Sequence, residues 1–292
     1  MARFGTATAG QGHVLVLGGL AELTDLGEPF VYVSSALLYD GAEDSWAELP
    51  HPEGFPTGTD HEVVWTGTAF LTWGGWRRPG EPGAHPHGEL EAGALLDPVT
   101  GTWRSITDAG RPDGQGPMIW TTHGLFLWVY SPDQARPSAW LYSPDDDVWE
   151  ALPVHPGLTP RYALLAASDE AVYVVGGDSY TYNEYYRYGS TPSWMREVWE
   201  FRLEERTWSK LAIPGDAAVG YLTQFVDDRL YLIDNHCAPA SFYVPATGEW
   251  GATTWPSGYE APAYALKVDG KLSLFGTASH LAGSASFFQY TP

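Results

Sequence analysis

The sequence predicts an all-β fold built from six copies of one antiparallel sheet, and three observations lead there. Six turn-plus-strand segments align without gaps: QGHVLVLGG (11–19), GTAFLTWGG (67–75), THGLFLWVY (122–130), DEAVYVVGG (169–177), DDRLYLIDN (227–235) and DGKLSLFGT (269–277). Five further segments run to a tryptophan seven residues after their first residue: YDGAEDSW (39–46), LDPVTGTW (96–103), YSPDDDVW (142–149), FRLEERTW (201–208) and YVPATGEW (243–250). Composition agrees, because 14 Trp, 17 Tyr, 33 Gly and 23 Pro in 292 residues suit short strands joined by tight turns.

The elements follow in a fixed order. A short strand such as EVVW, MIW or LTQFV leads into a two-residue turn of Gly, Asp or similar type, and an apolar strand follows, which is a hairpin signature. After that strand comes a loop of variable length, then a strand ending near Tyr. A six-residue gap leads to the strand that bears Trp. Successive starts differ by 56, 55, 47, 58 and 42 residues. Four strands in about fifty residues is the period of a propeller blade, so a six-bladed β-propeller is expected as one domain over 1–292. The blades fall near 1–50, 51–107, 108–153, 154–213, 214–256 and 257–292.

With Gly-Gly at 18–19, 74–75 and 176–177 and Trp at 46, 103, 149, 208 and 250, the chain resembles the kelch repeat family over its whole length. Blade 3 departs with Val129-Tyr130, blade 5 with Asp234-Asn235 and blade 6 with Gly276-Thr277. Glycine pairs open backbone dihedrals closed to other residues and let a neighbouring blade approach. Each Trp is expected to fill the wedge between adjacent sheets, as core and not as a ligand platform.

The sixth copy has Tyr290 and Pro292 but no tryptophan, so a last blade without its outer strand is expected. Met1–Phe4 aligns with Thr159–Tyr162, which places Phe4 at the innermost strand and leaves no N-terminal residues for the missing one. An N-terminal extension, a tolerated three-stranded blade, or strand addition by a partner would each account for this. The expected location is cytoplasmic as the chain is written, and secreted or periplasmic if an extension has been removed. A monomer is expected.

Charge sets the partners. Fifteen basic against 36 acidic residues give −21, a field that repels nucleic acid and anionic membrane surfaces. The single cysteine, Cys237, forbids an intramolecular disulfide framework.

Binding residues are expected on the variable loops at 20–34, 76–92, 131–138, 178–195, 235–240 and 278–284. The segment DSYTYNEYYRYGSTPSW (178–194) concentrates Tyr180, Tyr182, Tyr185, Tyr186, Arg187 and Trp194, which suits stacking on sugars or anchoring a peptide. It equally suits a loop packed by its own aromatics. Arg77 and Arg78 are paired cations that would meet a carboxylate or the surrounding acids. His236 would supply a pH-sensitive hydrogen bond beside a buried Cys237. His85, His87, Glu89 and Glu91 are spaced by Pro86 and glycines, which is poor for a rigid metal site, so no metal and no cofactor is expected.

The leading expectation is a non-catalytic scaffold that presents its loop face to a protein segment or a glycan. The alternative is an enzyme on that face, for which the resemblance implies a sugar mutarotase or isomerase using general acid/base catalysis, or a metal-dependent oxidase. A galactose oxidase-like copper site implies a Tyr–Cys cross-link, for which Cys237 is the only candidate.

Overall fold

The computed structural model describes residues 5–22, 31–78, 88, 90–129, 138–157, 163–176, 196–215, 217, 222–233, 240–253, 262–268, 271–277 and 285–289. These form 25 strands and no helix. The chain divides into two compact units, Met1–His155 and Pro156–Pro292, with three blade sheets in each and a two-stranded ribbon besides in the first. The expected fold class is what the structure shows: all-β, with six antiparallel sheets in succession, as in a blade-built propeller.

In the first unit, blade 1 pairs β1 (Thr6–Gly10), β2 (His13–Leu17), β5 (Ser35–Asp40) and β6 (Ser45–Pro50) in that order. Blade 2 pairs β7 (Glu62–Trp65), β8 (Phe70–Trp73), β9 (Gly93–Asp97) and β10 (Thr102–Ser105). Blade 3 pairs β11 (Met118–Thr121), β12 (Gly124–Val129), β13 (Ser138–Ser143) and β14 (Val148–Ala151). The loop of blade 1 carries an unforeseen ribbon, β3 (Leu20–Glu22) with β4 (Val31–Tyr32). Strands β1 and β11 both lie against β7, so the first strands of the three blades are neighbours.

The second unit repeats the plan. Blade 4 is β15 (Leu164–Ala167), β16 (Ala171–Val175), β17 (Val198–Arg202) and β18 (Thr207–Lys210). Blade 5 is β19 (Leu222–Val226), β20 (Arg229–Ile233), β21 (Ala240–Val244) and β22 (Glu249–Thr253). Blade 6 has three strands among the described residues, β23 (Pro262–Val268), β24 (Lys271–Thr277) and β25 (Ala285–Gln289).

Side-chain alternation explains why the second strand of each blade reads as an unbroken apolar run. Successive residues point to opposite faces of a sheet. In β8, Phe70 joins Leu15, Leu17 and Leu38 of blade 1, while Leu71 and Trp73 join Leu125, Leu127 and Trp149 of blade 3. In β20, Leu230 and Leu232 pack with Tyr173 and Val175 of blade 4, whereas Tyr231 and Ile233 pack with Leu272 and Leu274 of blade 6. Both faces are buried, so a polar residue there needs a partner, as Thr72 has in the Glu62 carbonyl. Each large side chain taken from water contributes about 1.5–3 kcal/mol.

The seven-residue spacing to tryptophan is the register of the outer hairpin. Tyr39 faces Trp46, Leu96 faces Trp103, Tyr142 faces Trp149, Phe201 faces Trp208 and Tyr243 faces Trp250 across the ladder. The aromatic pairs tilt alike, with centroids 4.7–5.1 Å apart. A four-residue loop closes each hairpin, and the residue two before the Trp takes a left-handed backbone: Asp44, Gly101, Asp147, Arg206 and Gly248. Where that residue is Asp it also accepts the facing phenol, from Tyr39 to Asp44 at 2.7 Å and from Tyr142 to Asp147 at 2.5 Å. Burial and the Asp147 carboxylate hold the Tyr142 phenol well above its usual range, so it stays a donor.

The expectation that every Trp is core needs correction. Trp149 is buried in the wedge against Trp73 of blade 2, and its indole N–H donates to the Thr107 carbonyl. Trp103 and Trp250 pack likewise on the preceding blades. Trp46, however, is 57% exposed. The strand that carries it is exposed along nearly its whole length, so its ring covers Tyr39 and little else.

The glycine pairs divide by their surroundings. A Cβ on Gly75 (φ 114°) would stand 2.3 Å from Nδ1 of His61, whereas one on Gly248 (φ 72°) would meet nothing within 4 Å. Gly75→Ala is therefore expected to cost roughly 3 kcal/mol or more in urea unfolding, and Gly248→Ala about 1 kcal/mol, the left-handed penalty alone. Equal costs at the two sites would show that the contact with His61 is immaterial.

Candidate functional site at the loop end of blades 1 and 2

Of the residues expected to contact a ligand, Arg77 and Arg78 are described. Tyr180, Tyr182, Tyr185, Tyr186, Arg187, Trp194 and His236 lie outside the described residues, as do His85, His87, Glu89 and Cys237. The site is therefore built from what surrounds the two arginines.

Backbone hydrogen bonds lace the loops of blades 1 and 2 to the crossover between them. Gly19 N–H donates to the Gly58 carbonyl, and Val33 N–H to that of Gly19. Thr59 and Trp76 exchange both backbone bonds, at 2.7 and 2.9 Å. Gly75 N–H reaches the Gln115 side chain on the crossover to blade 3, and Arg77 N–H bonds the Gly88 carbonyl. Four chain segments thus converge with their backbone groups satisfied by one another.

On this frame the two arginines meet Tyr32. The Arg77 guanidinium lies over the Tyr32 ring, 5.0 Å from its centroid, and Arg78 N–H donates to the Tyr32 hydroxyl at 2.9 Å. All three side chains are half-buried. The clasp joins the variable loop of blade 1 to that of blade 2. Arg77 stacks there on an aromatic face from the neighbouring loop, a partner the sequence reading did not foresee. Glu91 pairs with Arg111 at 2.8 Å, so it is engaged in an ion pair and does not stand as a metal ligand. No group of three or more His, Cys, Asp or Glu among the described residues is arranged to hold a metal ion.

Beneath the clasp lies a residue that sequence reasoning missed. His61 is 2% exposed, and the backbones of Gly18 and Gly75 press on its ring where any Cβ would collide. Its Nδ1 is 2.7 Å from the Gly74 carbonyl, so Nδ1 carries the proton. Its Nε2 is buried and has no hydrogen-bond partner. Phe55 packs on the ring at 4.9 Å, with His51 stacked on Phe55 at 5.3 Å. Burial lowers His61 to about 4, the Gly74 carbonyl opposing and His51 assisting; burial also lowers His51. The signal in the sequence was the run Asp60-His61-Glu62 just before the strand of a Gly-Gly blade, which only a fold could interpret.

Glu62 opens to solvent yet stands amid dense protein, with Asp60 alongside. Desolvation first and the Asp60 charge second push its carboxyl up to about 7, and water at its open surface moderates both. A carboxyl near neutrality can give or take a proton near physiological pH.

No family model matches this sequence, and no curated protein matches it.

The two groups drive stability in opposite directions. Unfolded His61 takes up a proton below about 6.5 while folded His61 stays neutral down to about 4, so its contribution is lost as pH falls through that window. The full span is worth about 3 kcal/mol. Folded Glu62 keeps its proton up to about 7 while the unfolded carboxyl loses it above 4.5, so stability falls as pH rises between those values. Thermal melts from pH 4 to 8 should show Glu62→Gln gaining on the native chain as pH rises from 4.5 to 7. His61→Asn, which retains a donor for Gly74, should flatten the acid side. A pH-independent difference between Glu62→Gln and native would show that Glu62 titrates as an ordinary surface acid.

Proposed function

We propose that the chain is a kelch-type β-propeller protein acting as a non-catalytic binding scaffold, and that the loop end of blades 1 and 2 receives a protein segment or glycan carrying a carboxylate. The observation that supports this reading is the Tyr32–Arg77–Arg78 clasp. It holds two guanidinium-bearing residues and an aromatic ring on backbone that is tied down by hydrogen bonds between neighbouring segments, so little ordering remains to be done when a ligand arrives. Arginine matches a carboxylate with two parallel hydrogen bonds, and in a chain of net charge −21 such a positive spot is selective for the anionic group it can pair with.

A second reading rests on Glu62. A carboxyl held at about 7 is suited to general acid/base work of the kind a sugar mutarotase needs, in which one proton leaves the anomeric hydroxyl as another reaches the ring oxygen.

The two readings separate in one set of measurements. Thermal shifts of the purified chain would be recorded with acidic sugars (glucuronate, N-acetylneuraminate), neutral sugars and a glutamate-containing peptide panel. A ligand at 100 times its Kd stabilises by about 2.7 kcal/mol, several degrees for a chain of this size. Carboxylate-bearing ligands are expected to give that shift, and Arg77→Ala/Arg78→Ala to abolish it. A shift retained by the double variant, or silence across the whole panel, would reject the proposed site. Accelerated anomer exchange in the presence of the protein, lost in Glu62→Gln while the thermal shift persists, would replace the scaffold with the enzyme.

A further inference from the structure

The opposite ends of the strands, where the turns between first and second strands lie (four-residue loops in blades 2 and 4, where two-residue turns were expected), carry two grooves built from equivalent parts. One lies between blades 2 and 3 and has a volume of about 560 Å3; the other lies between blades 4 and 5 and has about 770 Å3. Each is entered past a Thr or Ser whose side chain bonds the backbone three residues on, Thr66 to Ala69 and Ser168 to Ala171. Each has an aromatic wall from the next-to-last residue of the following blade's first strand, Trp120 or Phe225. Each is closed by the proline two residues after that blade's Tyr, Pro144 or Pro245. The shape is thus a product of the repeat, the wedge left as two twisted sheets diverge.

The charge is not a product of the repeat. In the groove between blades 2 and 3, Asp97 and Asp145 face Arg104. In the groove between blades 4 and 5, four carboxylates, Asp169, Glu170, Asp227 and Asp228, line the walls, and Arg202 is the one cation among the described lining residues. Arg202 is moreover already engaged, with Nη1 2.8 Å from Glu170 and Nε 3.2 Å from the buried Glu200. The wall differs too. Phe225 lies parallel to Tyr173 of blade 4, centroids 5.7 Å apart and planes within 4°, and Phe225 keeps part of its ring open. A flat aromatic face bordered by carboxylates fits a planar cation better than a compact ammonium, because guanidinium stacks on rings and forks onto carboxylates. Arg202 already brings a guanidinium onto two carboxylates, Glu170 and Glu200, from within the chain.

We infer that the groove between blades 4 and 5 is a docking site for an arginine-bearing segment of a protein partner. The groove is open along one side, so a side chain can enter from a backbone running across the rim. The site is separate from the clasp of blades 1 and 2 and does not depend on the function proposed for it.

The test is fluorescence anisotropy of the full chain with a labelled peptide holding three arginines spaced by glycine, beside its lysine and glutamate counterparts. The arginine peptide is expected to bind saturably and more tightly than the lysine peptide, with the glutamate peptide inert. Asp227 and Asp228 both occupy left-handed backbone, which asparagine accepts, so Asp227→Asn/Asp228→Asn keeps the turn. That variant should weaken binding tenfold or more. Asp145→Asn/Asp146→Asn on the outer hairpin of blade 3 removes the same charge beside the equivalent groove and should change it less than twofold. Phe225→Leu should erase the preference for arginine over lysine. Absence of saturable binding, or equal weakening by the two charge-matched variants, would overturn the inference and leave only diffuse attraction to an acidic surface.

Discussion

The second strands β8, β12, β16 and β20 are buried on both faces, and a sheet built around such a strand cannot bury itself alone. Phe70 turns to blade 1 while Leu71 and Trp73 turn to blade 3; Leu230 and Leu232 turn to blade 4 while Tyr231 and Ile233 turn to blade 6. Burial of one blade is therefore the burial of its neighbours. This shared core stabilises successive sheets where a single four-stranded sheet would leave both apolar faces in water. The glycine pairs, the outer hairpins and the loop platform all rest on sheets packed in this way.

Two local devices keep the packing in register. At the outer edge, the left-handed residue two before each Trp ends the hairpin loop so that the aromatic pair faces itself across the ladder. At the other end of β8, Gly74 and Gly75 leave the strand with positive φ, and Gly75 makes room for His61. The imidazole is neutral because the same close packing excludes water, and its one satisfied nitrogen bonds the Gly74 carbonyl, next to the glycine that makes room for it. Core geometry and site chemistry share those atoms.

The loop platform and the inter-blade grooves are consequences of the same scaffold with different degrees of freedom. The repeat dictates where a groove or a loop must occur, and the residues that decorate it vary from blade to blade. Thr66 and Ser168, Trp120 and Phe225, and Pro144 and Pro245 occupy equivalent places, while the carboxylates beside them do not recur. Specific chemistry therefore belongs to what differs between blades.

The strands, their pairing order and the Tyr-to-Trp register were legible in the residues, because period-two burial and turn chemistry act over a few neighbours and repeat six times. Arg77 and Arg78 stood out as paired cations in an acidic chain, yet nothing local foretold Tyr32 as their partner, which lies 45 and 46 positions earlier. His61 carried no signal of its own, since its burial is made by glycines of two different blades. Trp46 obeyed the repeat and still remains exposed, because spacing sets a residue's place in the ladder and not how much water it loses. The sequence by itself determined which segments become strands and how they pair within a blade, since those choices depend on backbone dihedrals and alternation. Only the tertiary structure decided which side chains lose water, and with it the neutrality of His61, the raised Glu62 and the stacked Arg77, because desolvation is a property of the atoms packed around a group.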